Sequence, residues 1–121
     1  MKKVVVVEDD DLLANVLKIA LAGKGFEVET CRDGLCGIEK VKSFLPHIVI
    51  LDVNLPVLSG FEVLKKIKSD KATSNIPVIL LTGLSQDVNL KRGFALGADD
   101  YLRKPFSMEE LLIRINRLIG D

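Results

Sequence analysis

The chain has 121 residues, 48% of them hydrophobic and 5% aromatic with no Trp, enough for one domain with a real core and too few for two ordinary ones. Its 17 basic and 17 acidic side chains leave a formal net charge of zero and alternate in sign along the helical segments, which argues against a nucleic-acid footprint. Apolar runs of a few residues fall far short of the ~20 that cross a bilayer, and no signal peptide is expected ahead of the first strand, so a soluble, cytoplasmic protein without a membrane partner is expected.

Val4 to Val7 form a first continuous apolar run, a strand buried on both faces. It ends in acid, because Glu8, Asp9, Asp10 and Asp11 follow without a break. Leu12, Leu13, Val16, Leu17, Ala20 and Leu21 then recur at helical spacing, and Gly23 and Gly25 close that helix. The acids also lie at its N-terminus, where the helix dipole favours negative charge by ~0.3 to 1 kcal/mol per residue. That decoration explains one or two acids more readily than four. Phe26, Val28 and Thr30 alternate with Glu27 and Glu29, the pattern of a half-exposed strand near the sheet edge. Cys31 and Cys36, even with the single His47, fall short of any usual structural zinc set, and both are expected as reduced thiols. Leu35, Ile38 and Val41 mark a second helix over about residues 34–44, ending at Pro46. His47 beside Pro46 reads as a solvated loop position.

Ile48-Val49-Ile50-Leu51-Asp52 is an unbroken apolar strand that ends in a charge. Pro56 and Gly60 follow, so a loop carries the chain away from Asp52 at the carboxyl edge, where open parallel sheets place their chemistry. Turn capping is the ordinary alternative for Asp52. Phe61, Leu64 and Ile67 mark a third helix over residues 60–69, with Glu62, Lys65, Lys66 and Lys68 facing water. Residues 69–77 are polar and loop-like. Val78-Ile79-Leu80-Leu81 is a fourth strand, ending in Thr82-Gly83, and residues 85–96 look weakly helical, which leaves room for motion. A short fifth strand, Tyr101-Leu102-Arg103, ends at Lys104-Pro105-Phe106. Ser107 and Glu110 form a capping box for a last helix whose apolar stripe is Leu111, Leu112, Ile115, Leu118 and Ile119, stopping at Gly120.

Strands alternating with helices predict an α/β class: a doubly wound parallel sheet with helices on both faces, residues 1–121 forming one domain without repeat or linker. In such a sheet Glu8, Asp9, Asp52, Thr82 and Lys104 emerge at one carboxyl edge. Three carboxylates ~4 Å apart at an effective dielectric of ~20 repel by roughly 4 kcal/mol per pair, which implies a cation. Lys104 supplies one charge, and an oxygen-only donor set suits a hard divalent ion such as Mg²⁺. A carboxylate beside Mg²⁺, a Lys and a Thr hydroxyl is also what phosphoryl transfer to Asp52 requires.

Glu8-Asp9, Asp52 with Asn54, Pro56 and Gly60, Thr82-Gly83, Tyr101 and Lys104-Pro105-Phe106, in order along the whole chain, resemble the receiver domain of two-component response regulators. The resemblance implies a flavodoxin-like five-stranded sheet in the order 2-1-3-4-5. It implies Asp52 as the phosphoacceptor, Asp9 as a direct Mg²⁺ ligand, Glu8 as a ligand through water and Asn54 as a ligand through its backbone carbonyl, with Mn²⁺ as a substitute ion. Lys104 would pair with Asp52 and then with the phosphoryl group. Thr82 would move to donate a hydrogen bond to that group and Tyr101 would turn inward behind it, reshaping the face of the fourth helix, fifth strand and fifth helix. The Lys104-Pro105 peptide is expected to be cis. Local alternatives are a half-buried strand aromatic for Tyr101 and an N-cap for Thr82.

The implied phosphoryl donor is a histidine kinase or histidine phosphotransfer protein, and the implied product is a signalling switch that catalyses only its own phosphorylation and dephosphorylation. The output partner or effector domain is not named by the sequence, and a homodimer through the switching face fits the family. A stand-alone regulator and a receiver cut from a longer protein both stay open. Two rival classes lack their residues. An aspartyl-phosphate hydrolase usually carries a second Asp two residues after the nucleophile, where this chain has Asn54. A flavin or nucleotide binder wants a Gly- or Ser/Thr-rich loop after the first strand, where Glu8 to Asp11 would repel phosphate. A receiver kept only for docking would have no use for the acids, Thr82 and Lys104, and would fail to bind Mg²⁺.

Overall fold

Four consecutive valines start the sheet. A computed structural model, describing residues 1–83 and 87–120, places them in β1 (Lys3–Val7), followed by α1 (Asp11–Gly23), β2 (Glu27–Cys31), α2 (Gly34–Phe44) and β3 (Ile48–Asp52). The second half contains α3 (Gly60–Ser69), β4 (Val78–Thr82), α4 (Asp87–Ala95), β5 (Asp100–Arg103) and α5 (Met108–Ile119). The strands form one parallel sheet in the order β2-β1-β3-β4-β5, as expected. The expected start of the fourth helix, Ser85, lies outside the described residues. Among the described residues, no helix is long and apolar enough to cross a membrane.

Alternate side chains of the same strands feed two cores. Val5, Val7, Val49, Leu51 and Leu80 pack with Ile38 and Val41 of α2 and with Val63, Leu64 and Ile67 of α3. Val4, Val6, Ile48, Ile50, Ile79 and Leu81 face the other way, against Leu17 and Leu21 of α1 and Leu111 and Ile115 of α5. Burial on both faces is why β1, β3 and β4 read as continuous apolar runs, with each full Val, Leu or Ile burial contributing about 1.5–3 kcal/mol. The apolar stripes are wider than the contacts they make: Leu12, Val16 and Leu35, counted in the stripes of the first two helices, are exposed, and Ala14, Leu17 and Leu21 carry the packing of α1.

Caps set where the helices begin. Asp10 accepts the N–H groups of Leu12 and Leu13, and Ser59 with Glu62 and Ser107 with Glu110 form reciprocal capping boxes. The Ser107→Ala variant is expected to lose about 1 kcal/mol of stability, read as a lower urea midpoint. An unchanged midpoint would show that water replaces the cap at no cost.

The cysteines correct the expectation of reduced thiols. Cys31 ends β2 and Cys36 lies in the first turn of α2, and they form a disulfide with Cα atoms 5.7 Å apart. The cause is the turn between them: Asp33 accepts the Cys36 N–H at 2.8 Å and folds α2 back over the strand end. That brings the pair inside the bridging range of about 4.4–6.8 Å.

Candidate functional site

Strand register assembles the site. Val7 pairs with Leu51, Asp52 with Leu81 and Thr82 with Arg103, so the ends of β1, β3, β4 and β5 lie side by side. Lys104 follows β5, and its N–H donates to the Thr82 carbonyl at 2.7 Å, tying the two strand ends together. The Lys104-Pro105 peptide is cis, as expected.

The run of four acids divides in two. Asp10 caps α1, and exposed Asp11 accepts a hydrogen bond from Arg32 at 2.7 Å. Glu8 and Asp9 join Asp52, so that one carboxylate oxygen from each lies within 4.8 Å of the others. Glu8 is fully buried, Asp52 is 4% exposed and Asp9 faces solvent. The Glu8 N–H donates to the Cys31 carbonyl at 2.9 Å, which fixes its backbone beside the end of β2.

One amine serves two buried acids. Lys104 Nζ donates to Asp52 Oδ2 at 3.1 Å and sits 2.8 Å from Glu8 Oε1. Asp52 Oδ1 accepts from the Asn54 N–H at 3.3 Å, and Glu8 Oε2 accepts from the Asp10 N–H at 3.1 Å. Among the described residues, Glu8 Oε1 has only the ion-pair contact, without the alignment of a hydrogen bond, and is buried with no hydrogen-bond partner. Burial holds the Glu8 carboxyl above its usual range; Lys104 and the Asp10 N–H pull the other way, and the Asp52 charge adds to the rise. Burial works against the charge on Lys104, but its close contact with Glu8 and the negative charge of Asp52 outweigh that and hold its ammonium above the ordinary value.

A buried Glu8 oxygen with an ion-pair contact but no aligned hydrogen bond, three clustered carboxylates of which two share one amine, and a cluster without sulfur or imidazole among the described residues all fit a hard divalent cation. A cation here lowers the repulsion that Lys104 alone leaves uncompensated.

Thr82 is 2% exposed at the end of β4. Tyr101 stands apart from the acids: it pairs in register with Leu80, is half-buried, and meets the Phe94 ring edge-on at 5.8 Å. Thr82 and Tyr101 do line one gap, together with Leu80, Leu90, Phe94 and Ala98. Asn54 is exposed just beyond Asp52, and its N–H bonds that carboxylate. Two contributors were not foreseen from sequence: the Cys31 carbonyl that holds Glu8, and the tight turn at Val57, whose φ of +72° lets Leu58 N–H donate to the Pro56 carbonyl at 2.8 Å. A β-branched residue rarely adopts that φ, and no residue type in the loop signals it.

The response regulator receiver domain family matches residues 4–116. The DNA-binding dual master transcriptional regulator RpaA of Synechocystis sp. is 36% identical over 119 residues, 98% of this chain and 49% of that protein. The chain spans about half the length of the curated relatives it matches. Among solved structures, chemotaxis protein CheY4 of Vibrio cholerae is 33% identical with a TM-score of 0.92, covering 98% of each chain. The receiver domain of sensor histidine kinase PA1611 from Pseudomonas aeruginosa, with a magnesium ion coordinated in its active site cleft, is 27% identical with a TM-score of 0.91, covering 99% of this chain and 98% of that one. Sequence and overall fold agree, and the chain belongs to the response regulator receiver domain family.

Proposed function

We propose that residues 1–121 act as one receiver domain in which Asp52 accepts a phosphoryl group from a histidine kinase or histidine phosphotransfer protein. The observation that carries this reading is the Lys104 ammonium held between Asp52 Oδ2 and Glu8 Oε1. A buried acceptor carboxylate with a fixed cation beside it is prepared for negative charge to arrive.

An Asp52 carboxylate oxygen attacks phosphorus in line, the bond from phosphorus to the donor breaks, and an acyl phosphate forms. Lys104 then turns from the Asp52 carboxylate to the phosphoryl oxygens. Glu8 through water, Asp9, Asp52 and the Asn54 carbonyl would hold Mg²⁺, or Mn²⁺ in its place, and the ion supplies charge neutralisation at those oxygens. The same residues let the domain catalyse its own phosphorylation and dephosphorylation.

The Thr82 hydroxyl moves to donate to the new phosphoryl group, and Tyr101, which lines the same narrow gap, turns inward behind it. The face of α4, β5 and α5 changes with them and controls an output partner or effector domain, or a second copy in a homodimer. Moving such a switch from 1:99 to 99:1 takes ~5.5 kcal/mol, more than the ~1.5–3 kcal/mol of one charge-assisted hydrogen bond. Partner binding completes the shift. We place the domain in the cytoplasm, without direct contact to nucleic acid or membrane.

Intact-mass spectrometry after incubation with acetyl phosphate tests the chemistry without the kinase. With Mg²⁺ the protein is expected to gain one phosphoryl group, and chelation with EDTA is expected to abolish the gain. No gain under any condition would make this a receiver fold used for binding alone.

A further inference from the structure

The loop from Cys31 to Cys36 touches both chain segments that carry the acids. At one end the Cys31 carbonyl accepts the Glu8 N–H at 2.9 Å. In the middle, the Gly34 N–H donates to the Pro56 carbonyl at 3.4 Å, four residues beyond Asp52. The chain packs closely here: a Cβ at Gly34 would overlap the Leu58 carbonyl oxygen, and one at Gly37, just past the loop, would meet Val7 Cγ1 at 3.0 Å.

The two sulfurs differ in access. Cys31 is 2% exposed within the core, whereas Cys36 is half-buried in the first turn of α2, where a helix N-terminus favours a negative sulfur. Arg32, a cation, lies within the same loop and is paired with Asp11.

We propose that Cys31 and Cys36 form a thiol–disulfide exchange site whose oxidation state sets how firmly Glu8 is held, with small disulfides such as glutathione disulfide as the oxidant class. The Cys36 thiolate attacks one sulfur of glutathione disulfide, and the S–S bond of that molecule breaks to release one glutathione thiolate. Cys31 gives up its proton and attacks the Cys36 sulfur of the mixed disulfide, expelling the second thiolate. Two cysteine sulfurs are oxidised by two electrons, one glutathione disulfide is reduced, and the two cysteine protons end on two glutathione thiols. Burial suits Cys31 to this second, intramolecular step, which needs no access for an outside molecule.

The disulfide closes a short loop and removes conformational freedom between the Glu8 and Pro56 anchors. Reduction leaves two sulfurs that must move apart inside a packed turn, which loosens the Cys31 carbonyl and hence the Glu8 N–H bond. The amide is the direct readout. The further effect on ion binding rests on the proposed function, with the oxidised form holding Mg²⁺ more tightly because Glu8 is already in place.

The test compares wild-type protein in glutathione disulfide with the same protein in dithiothreitol, and adds a Cys36→Ser variant as a permanently open loop. Oxidation is expected to remove both thiols from alkylation without retained glutathione, as read by mass. Glu8 amide exchange followed by NMR is expected to be at least fivefold faster in the reduced protein and in the variant. The Mg²⁺ dissociation constant from calorimetry is expected to rise about threefold. Thiols that stay alkylatable, glutathione retained as a mixed disulfide, or equal Glu8 exchange in both states would overturn the proposal. Absence of Mg²⁺ binding in both states would overturn the proposed function, while a difference in Glu8 exchange would still support the exchange site.

Discussion

The Asp52→Asn variant is expected to take up no phosphoryl group from acetyl phosphate in Mg²⁺, a loss of at least about a hundredfold, because a carboxamide is no nucleophile at phosphorus. The loss should be chemical and not structural. Asn has the same shape and its Oδ1 can keep accepting the Asn54 N–H; its Nδ2 cannot accept the bond from Lys104, which keeps its contact with Glu8. Removing one of three clustered carboxylates also lowers repulsion in the buried site. Stability in EDTA is therefore expected within about 1 kcal/mol of the parent, measured by urea unfolding. Mg²⁺ affinity should fall about tenfold or more with one carboxylate gone. Phosphoryl uptake by this variant would move the acceptor to Glu8 or Asp9, and the role of Lys104 would have to be rebuilt around them.

Legibility in the sequence followed burial. Val4 to Val7, Ile48 to Leu51 and Val78 to Leu81 are apolar on both faces, and nothing but a covered parallel sheet buries such runs without helical length. With three strands located, the acids at their ends and Lys104 after β5 had to meet at one edge. What stayed hidden depends on rotamers and turns. Asp10 and Asp11 have the same chemistry as Asp9, and only the path of the chain into α1 makes one a cap and the other a surface partner of Arg32. The spacing of Cys31 and Cys36 is compatible with paired or free thiols, and only the turn folded by the Asp33 cap shows that the two can meet. Tyr101 reads as a strand residue, but its separation from the acid cluster follows from the pairing of β5 with β4 and from Phe94 on α4.

Gly60 was legible as a turn residue, yet the structure gives it a different job, and its replacement should have the largest effect on stability. Gly60 opens α3 directly after the Ser59 cap, and its N–H donates to the Val53 carbonyl at 2.8 Å. An added Cβ would overlap the Asp52 carbonyl oxygen and fall 2.7 Å from Val53 Cα and 2.9 Å from the Asp52 carbonyl carbon. These are backbone atoms at the end of a central strand paired on both sides, so they cannot swing away as a side chain would. Two effects compete in Gly60→Ala. Helix propensity favours Ala by up to ~1 kcal/mol, whereas forcing a methyl group into backbone costs about 1–3 kcal/mol or more. The clash should win, with a net loss of about 2–3 kcal/mol and reduced phosphoryl uptake, because the atoms that must give way carry Asp52. Gly23→Ala is the control. Gly23 ends α1 with nothing among the described residues within 4 Å of its Cβ position, so the same substitution there is expected to be neutral or to stabilise by up to ~1 kcal/mol. Equal urea midpoints for the two variants would mean that the strand end yields freely, and the tight seat of Asp52 between β3 and α3 would no longer explain how the proposed acceptor is held.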